Sequence, residues 1–354
     1  MRPTAAKLIC LRHAGIFMFI DPHVHCRDGK QAYKETIAHA LSVAERAGMS
    51  AIFDMPNTEP PIFRLQQARE RIELAKKAKS PVFYGLYIGL TADTSQIEDA
   101  LKAYDALPEV VGFKLFAAHS TGDLGVVDEK SQQFVYDTLA DFGYTGVIAV
   151  HCEKESLMKP HLWNPKLPIT HTIARPPEAE VASVADQILF ARNAQFRGTV
   201  HVAHVSVPAA VDLVRKAKQS INMTCGVCPH HCVLDTIHME KSLLYKTNPP
   251  LRIKPMADQM TDYLCTGMID WIETDHAPHL AKEKQGEPYM SGIPGLPYYP
   301  RFIEHIKARM DKKLLYNVTF GNIKKVFGVD VEQRQCEPQF DLGKEYEVNV
   351  YRSL

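Results

Sequence analysis

The stretch FIDPHVHCRD, residues 19–28, opens with two apolar residues and then places His23, His25 and Arg27 at every second position. In a β-strand, alternate side chains point to the same face, so a strand here puts both imidazoles and the guanidinium on one side of a sheet. Two interpretations are open at this point. The histidines are either an ordinary core pair or half of a metal site that acts on an anionic substrate.

Working outward from this stretch, the chain contains eight short apolar runs that are rich in strand-forming residues. They are FMFIDPHVH (17–25), SAIFDMPN (50–57), VFYGLYIGL (82–90), VVGFKLFAA (110–118), GVIAVHCE (146–153), TVHVAHVS (199–206), NMTCGVCPHH (222–231) and IDWIETDHAPH (269–279). Other segments repeat apolar residues every three or four positions, which is typical of amphipathic helices. They are YKETIAHALSVAERAG (33–48), RLQQARERIELAKKAK (64–79), SQIEDALKAYDAL (95–107), EKSQQFVYDTLADFG (129–143), EAEVASVADQILFARNA (178–194) and PAAVDLVRKAKQ (208–219).

This alternation predicts the fold class. Strands that alternate with helices indicate a parallel sheet, and buried parallel strands are almost continuously apolar, as these runs are. Eight such units predict an α/β protein with a (β/α)8 TIM barrel. A doubly wound open sheet is the alternative. It is disfavoured because nearly every run carries His, Asp, Asn or Lys towards its carboxyl end, and a barrel gathers all eight strand ends around one point.

Composition excludes several classes of function. The 354 residues include 41 Lys plus Arg and 41 Asp plus Glu, so no net field favours nucleic acid or an anionic membrane. No apolar run is long enough to cross a bilayer. The eight cysteines lie mostly in apolar runs, which indicates buried thiols in a reducing cytoplasm and not a disulfide scaffold.

We expect the chain to have three parts. These are an N-terminal extension at 1–18, a catalytic barrel at 19–330 and a C-terminal tail at 331–354 that packs on the barrel. Met18, directly before the first strand, is an alternative start of translation. The segment GKEYEVNVYRSL (343–354) predicts one edge strand in the tail.

Polar residues at other strand ends enlarge the set begun by the first histidine pair. His151 lies near the end of the fifth run, His204 lies near the end of the sixth with His201 three residues earlier, and Asp275 lies in the eighth. Because Zn²⁺ takes imidazole and carboxylate ligands, this set predicts a zinc site at the barrel mouth. Lys114 differs, since an ammonium has no lone pair for a metal. Spacing alone favours a lysine paired with an acid. The alternative is a desolvated neutral amine that reacts with carbon dioxide and gives an anionic carbamate.

Taken in order, nine motifs resemble the dihydroorotases, a cyclic amidase branch of the amidohydrolase superfamily. They are DPHVHCRD, DMPNT, GFKLF with STGDLGVVD, VHCE, ARPPEAE, VHVAHVS, PHH, TNPPLR and TDHAPH. The resemblance runs from about Phe19 to about Pro300 and implies a barrel of the metal-dependent hydrolase type with two Zn²⁺ per subunit. The metal ligands that it implies are His23, His25, Lys114, His151, His204 and Asp275. Lys114 would be carboxylated and bridge the two metals, and Asp275 would also move the catalytic proton.

The same resemblance implies a substrate and its contacts. Arg27, Asn57 and His279 match positions that hold a substrate α-carboxylate, and Asn248 matches a position near a pyrimidine ring. The implied activity is the zinc-dependent, reversible cyclisation of N-carbamoyl-L-aspartate to L-dihydroorotate in de novo pyrimidine biosynthesis. We expect a small-molecule substrate, no nucleic acid and no membrane. A homodimer and an association with aspartate transcarbamoylase are left open.

Two departures from longer relatives and two rival functions stand beside this interpretation. Too few residues precede Asp21 for the β-sandwich of the longer members, and the loop GIPGLPYY (292–299) lacks the acidic residue that many relatives carry after Gly-Leu. Hydantoinases and allantoinases share the metal ligands but should lack the carboxylate contacts. A catalytically dead scaffold homologue should have lost ligands.

The run CGVCPHHC (225–232) is interpreted as buried thiols and not as a second zinc site, because no second ligand pair follows at a finger-like spacing.

Overall fold

The computed structural model describes residues 16–352 except 18, 120–123 and 334, so part of the STGDLG segment lies outside the described residues. Eight parallel strands form the sheet. They are Phe19–Val24 (β1), Met49–Asp54 (β2), Phe83–Gly89 (β3), Val110–Phe116 (β4), Val147–His151 (β5), Thr199–Val202 (β6), Met223–Val227 (β7) and Trp271–Ile272 (β8). Each strand pairs with the next one in the chain, and each coincides with one predicted run, β2 beginning one residue before its run.

The sheet curls until its first and last strands meet. Val24 forms a parallel bridge with His276, and the His25 N–H donates to the His276 carbonyl at 2.7 Å. The predicted (β/α)8 barrel is confirmed. All eight carboxyl strand ends therefore open on the same side.

Helices follow the strands and cover the outside of the barrel. The α-helices are Ile37–Arg46 (α1), Leu65–Lys77 (α2), Thr94–Ala106 (α3), Glu129–Asp141 (α4), Thr170–Ala174 (α5), Pro177–Asn193 (α6), Pro208–Ala217 (α7), Pro229–Val233 (α8), Thr236–Lys241 (α9), Lys254–Cys265 (α10), Ala281–Gln285 (α11), Tyr299–Ile306 (α12), Lys312–Tyr316 (α13) and Asn322–Phe327 (α14). Short 3₁₀ helices span Gly29–Gln31, Glu155–Leu157, Pro160–Leu162, Leu243–Tyr245, Leu296–Tyr298, Lys307–Arg309 and Leu342–Glu345, and a π-helix spans Asn317–Gly321. Local side chains fix several starts: Asp93 accepts from the Gln96 N–H at 2.7 Å and Asp128 from the Ser131 N–H at 2.8 Å.

The barrel interior is apolar at one end and polar at the other. Ile20, Phe53, Tyr87 and Trp271 of the strands form a buried cluster together with Phe320, which belongs to the π-helix after the barrel strands. This cluster closes one end of the barrel. Polar side chains lie at the other end, where the carboxyl ends of the strands open.

The tail lies against α1 through side-chain contacts. Gln335–Cys336 pairs antiparallel with Ile16–Phe17, and Glu345 forms an ion pair with Arg46. The edge strand predicted at 343–354 is wrong for its described residues, which form part of a 3₁₀ helix and turns. Contacts of individual side chains with α1 replace a sheet partner there. The other residues of the predicted extension lie outside the described part, and the three-part division stays a proposal. No described helix is both long and apolar enough to span a membrane.

Candidate active site

A pocket at the carboxyl ends of the strands collects nine of the ten side chains that the sequence analysis singled out. Its empty volume is about 460 Å³, counting the part open to solvent. The nine are His23, His25, Arg27, Asn57, Lys114, His151, His204, Asn248 and Asp275. The tenth, His279, lies behind this lining with its Nε2 2.9 Å from Arg27 Nη2. His201 does not line the pocket and instead contacts Glu273 Oε2 at 2.9 Å.

His23, His25 and Asp275 form one group of metal-binding atoms. Asp275 Oδ1 lies 2.9 Å from His25 Nε2 and 3.3 Å from His23 Nε2. His25 Nδ1 lies 2.7 Å from Asn57 Oδ1, so a neutral His25 donates to Asn57 and turns the lone pair of Nε2 towards the carboxylate. With Nδ1 donating to Asn57, the His25 nitrogen and the Asp275 oxygen converge as two acceptors that can share a cation.

His151 and His204 form a second group on the adjoining strand ends. His151 Nε2 lies 2.8 Å from Glu153 Oε2, which leaves the Nδ1 lone pair pointing at His204 Nε2, 3.2 Å away. Burial alone would raise the pKa of Glu153, but Arg175 and His151 outweigh burial and lower it. The sequence analysis quoted Glu153 and Arg175 within motifs but assigned them no role. Carboxylate support of a ligating histidine is common in metal sites.

Lys114 is fully buried between these two groups, and its Nζ has no hydrogen-bond partner among the described residues. Burial lowers its pKa to about 8. The ion pair that spacing alone favoured is not formed, since no described carboxylate lies within 4.0 Å of Nζ. A buried amine with a lowered pKa and no partner fits a carboxylated lysine. Together with the two acceptor groups, it fits a pair of divalent cations.

Arg27 lines the same pocket, and its guanidinium carries a buried positive charge. Its side chain is 3% exposed, and Nε donates to the Pro278 carbonyl at 3.2 Å. No carboxylate of the described residues lies within 4.0 Å of the guanidinium, and burial lowers its pKa. An uncompensated guanidinium beside a pocket fits an anionic ligand.

Comparison with known proteins agrees with this geometry. No protein-family model matches the chain. The chain is 31% identical over 326 residues to a dihydroorotase of Methanothermobacter thermautotrophicus, covering 90% of this chain and 71% of that protein. It is also 32% identical over 323 residues to a dihydroorotase of Lactobacillus gasseri, covering 88% of this chain and 73% of that protein. The chain belongs to the dihydroorotase family. It is accordingly a hydrolase that acts on cyclic amides.

Solved structures of cyclic amidases share the fold of this family member. An L-hydantoinase from Arthrobacter aurescens superimposes with a TM-score of 0.79 at 24% identity, covering 89% of this chain and 72% of that one. A dihydroorotase from Campylobacter jejuni superimposes with a TM-score of 0.69 at 17% identity, covering 90% and 86%. At these identities the likeness establishes the (β/α)8 fold alone. The family membership indicates a metal cofactor, which the two acceptor groups fit.

One wall of the family site is built by the loop after β8. The Ser291 hydroxyl donates to Asn248 Oδ1 at 3.2 Å, and the Gly292 N–H donates to the Lys246 carbonyl at 2.9 Å. Lys284 is fully buried and donates from Nζ to the carbonyls of Lys246 at 2.9 Å and Gly292 at 2.6 Å. The sequence analysis assigned no role to Lys284 or Ser291, and no motif pointed to them. They join the stretch that carries Asn248 to the loop that carries Ser291.

Behind the family site, a buried carboxylate supports the end of β8. Glu35 Oε2 lies 2.9 Å from His276 Nε2, while its Oε1 accepts from the Tyr346 hydroxyl at 2.6 Å and lies 2.9 Å from His39 Nδ1. Burial alone would raise the pKa of Glu35, but the charge of His276 and these hydrogen bonds lower it from 4.5 to about 2. Glu35 therefore stays ionised and holds His276, whose carbonyl closes the barrel.

The backbone at three pocket positions is left-handed. Arg27, His204 and Asp275 have φ values of 54°, 41° and 47°. Such a conformation costs a residue other than glycine about 1–3 kcal/mol and persists only where the surroundings impose it. Each of these residues lies shortly after the end of a strand. The left-handed turn directs its side chain into the pocket, whereas a continuing strand would direct it elsewhere.

The cysteine and histidine cluster outside the pocket is distinct from this site. The candidate ligand atoms of Cys228, His230 and His231 lie within 4.8 Å of one another. Burial raises the pKa of the Cys228 thiol, so it stays protonated, and His231 Nε2 lies 3.2 Å from the Pro249 carbonyl. All seven described cysteines are free thiols, and six of them are buried. The interpretation of this run as buried thiols is confirmed for Cys225, Cys228 and Cys232, whereas the prediction that it is not a second zinc site stays a prediction.

Proposed function

We propose that the protein is a dihydroorotase, which interconverts N-carbamoyl-L-aspartate and L-dihydroorotate with loss or gain of water, as a step of de novo pyrimidine biosynthesis. The observation that carries this proposal is the buried Arg27 guanidinium, which forms no ion pair within 4.0 Å with the described residues and lines the same pocket as the acceptor groups. The substrate of this reaction has a carboxylate that takes no part in the ring chemistry. A named family at about 30% identity supports the proposal.

We further propose that His23, His25 and Asp275 hold one Zn²⁺ and that His151 and His204 hold another, with carboxylated Lys114 bridging them. Zinc bound there would lower the pKa of a water molecule and polarise the amide carbonyl. The donor set supports this assignment, because imidazole nitrogens and carboxylate oxygens are ligands that Zn²⁺ takes.

The protein's own residues would supply the remaining chemistry. In hydrolysis, Asp275 accepts the proton of the attacking water and delivers it to the ring nitrogen that leaves the carbonyl carbon. Arg27, Asn57 and His279 hold the carboxylate at one end of the substrate. Asn248 lies on the other wall, beside Ser291, where it can bind the polar edge of the ring. Cyclisation runs the same steps in reverse.

A hydantoinase or allantoinase is the alternative, favoured only by the fold likeness to hydantoinases. A hydantoin ring has no carboxylate in the place of that of dihydroorotate. It would therefore leave Arg27 unpaired in a desolvated site, which costs several kcal/mol of binding. A scaffold without activity is disfavoured because all the proposed metal ligands line one pocket.

The experiment is a turnover assay of purified protein with L-dihydroorotate, N-carbamoyl-L-aspartate, hydantoin and allantoin, together with measurement of bound metal. We expect turnover of the first two compounds, two zinc ions per chain and loss of activity on chelation. Turnover of hydantoin or allantoin with none of dihydroorotate would replace this proposal by the alternative. The homodimer, the association with aspartate transcarbamoylase and the cytoplasmic location stay predictions; sedimentation of the purified protein with and without a transcarbamoylase tests the first two.

A further inference from the structure

The C-terminal tail places one aromatic side chain behind the pocket. Tyr346 directly follows the 3₁₀ helix Leu342–Glu345, and its hydroxyl donates to Glu35 Oε1 at 2.6 Å. Its ring meets the ring of His276 edge-on, with the centroids 5.3 Å apart and the ring planes at 82°. The sequence analysis placed Tyr346 in the predicted edge strand and gave it no role at the pocket. The tail therefore touches the residue that directly follows Asp275.

This contact is anchored on α1. Glu345 Oε2 accepts from Arg46 Nη2 at 2.8 Å and lies 3.3 Å from His39 Nε2. Leu342, three residues before Glu345, is 1% exposed and packs in the core. Two polar contacts and one buried apolar side chain thus hold this part of the tail, so Tyr346 has a fixed place beside the end of β8.

His276 joins the tail to two proposed metal ligands. Its carbonyl accepts from the His25 N–H at 2.7 Å, and its Nε2 donates to Glu35 Oε2 at 2.9 Å. The N–H of His276 donates to Thr274 Oγ1 at 3.1 Å, so the two neighbours of Asp275 are tied to each other. Asp275 has a φ of 47°, a strained conformation that persists only where the surroundings impose it. A shift of His276 would therefore displace both Asp275 and the backbone of His25.

Glu35 depends on its hydrogen bonds because its charge is buried. The side chains of Glu35 and His276 are both 0% exposed. A buried carboxylate is stable only where its oxygens are hydrogen-bonded, and Glu35 Oε1 accepts from Tyr346 and lies 2.9 Å from His39 Nδ1. Loss of the Tyr346 hydroxyl removes one of these partners, and loss of the ring also opens a space beside His276. In both cases Glu35 and His276 are held less firmly.

We propose that Tyr346 is a positioning residue of the active site. It holds Glu35 and His276, and through them it fixes Asp275 and the His25 backbone where β1 and β8 meet. The inference rests on the proposed function, which assigns metal binding to both residues and proton transfer to Asp275. It adds to that function a residue of the tail that does not touch the substrate.

The test compares three variants of the full chain as purified with its metal. Tyr346→Phe removes the hydroxyl and keeps the ring, and Tyr346→Ala removes both. Tyr136→Phe is the matched control, because the buried Tyr136 hydroxyl donates to Gln187 Oε1 at 3.0 Å between two outer helices. This control loses a buried hydroxyl hydrogen bond without a contact to the pocket.

The first readout is hydrogen exchange of the His25 amide, which donates to the His276 carbonyl. We expect exchange to speed up ~10-fold in Tyr346→Phe, by more in Tyr346→Ala and not in Tyr136→Phe. The second readout is kinetics. In Tyr346→Phe, kcat for L-dihydroorotate should fall ~10-fold while KM stays within about twofold of the wild type, because the substrate carboxylate is assigned to Arg27.

The outcomes separate this inference from the proposed function. A wild type that does not turn over dihydroorotate rejects the proposed function, whereas exchange at His25 still tests whether Tyr346 positions it. Exchange of the His25 amide in the wild type as fast as that of exposed backbone overturns the inference without any variant, even if neither Tyr346 variant folds. Unchanged exchange in a folded Tyr346→Ala variant, or an equal acceleration in Tyr136→Phe, overturns it as well.

Discussion

Replacing Arg27 by methionine should lower affinity for the substrate without lowering stability. In the free protein the guanidinium is buried and donates to the Pro278 carbonyl, but it forms no ion pair with the described residues. Methionine has a similar length and no charge. The substitution therefore removes the desolvation cost of a buried charge from the free protein. It also removes the ion pair with the substrate carboxylate from the complex.

The two effects differ in sign and can be given magnitudes. Loss of one partner of a buried, hydrogen-bonded charge pair costs about 2–5 kcal/mol, which corresponds to a fall in kcat/KM for L-dihydroorotate of about 30- to 5000-fold. Replacing a buried charge by an apolar side chain is often neutral or stabilising. We therefore expect the free energy of unfolding to stay equal or to rise.

The assay pairs steady-state kinetics with urea unfolding and metal analysis of the same preparations. Arg27→Lys serves as the comparison, because it keeps the charge but loses the planar two-pronged donor, and it should lie between wild type and Arg27→Met. The reasoning is refuted if kcat/KM stays within about threefold of the wild type. It is also refuted if the loss comes with missing metal and a clear loss of stability, since Arg27 would then support the fold and not the ligand.

Three further predictions concern residues around the pocket. Asp275→Asn should lower kcat by at least ~10³-fold in a protein that keeps its circular dichroism spectrum, because an amide cannot accept the proton. Glu35→Gln should lower the free energy of unfolding at pH 7 by about 3 kcal/mol, the equivalent of a pKa lowered from 4.5 to about 2. That contribution is complete above pH 4.5 and is lost as the pH falls towards 2, so urea unfolding curves of wild type and variant should converge in acid. Lys284→Met should destabilise by about 1–3 kcal/mol, because it leaves the Gly292 carbonyl without its donor and the Lys246 carbonyl with only the Gly292 N–H, and should speed hydrogen exchange in the loop at 286–292.

The barrel could be predicted from the sequence because its signals are local. A parallel strand buried on both faces must be apolar throughout, and this pattern located all eight strands. The helical pattern, in contrast, did not locate α10 between β7 and β8. Of the buried residues of α10, Ala257 and Thr261 are small or polar, so its apolar stripe is narrow. The strand predicted in the tail failed for another reason, since its alternating pattern has no sheet edge to join.

The pocket lining was predicted from motifs and could not have come from spacing. His201 and His204 lie on one short run, and spacing did not distinguish them, whereas the structure turns only His204 into the pocket. Glu35 escaped prediction for a different reason. Its partners His276 and Tyr346 lie 241 and 311 positions away, and a single glutamate before a helix carries no local sign of such a contact.

The arrangement of unmet hydrogen-bonding groups explains how this barrel would choose among cyclic amides. His25 and Asp275 bring an imidazole nitrogen and a carboxylate oxygen together, where they can share a cation, and the nearby Arg27 guanidinium is buried without an ion-pair partner among the described residues. Burial means that water compensates the Arg27 charge poorly. A ring amide with a carboxylate pairs with Arg27 beside the acceptor groups, whereas a ring without one leaves the guanidinium unpaired. A site that buries such groups discriminates against a ligand without the matching group by about 10⁴-fold or more. An apolar pocket that discriminates by shape alone achieves less. Selectivity for carboxylate-bearing rings would thus lie in Arg27, which follows β1, on a barrel fold that hydantoinases share.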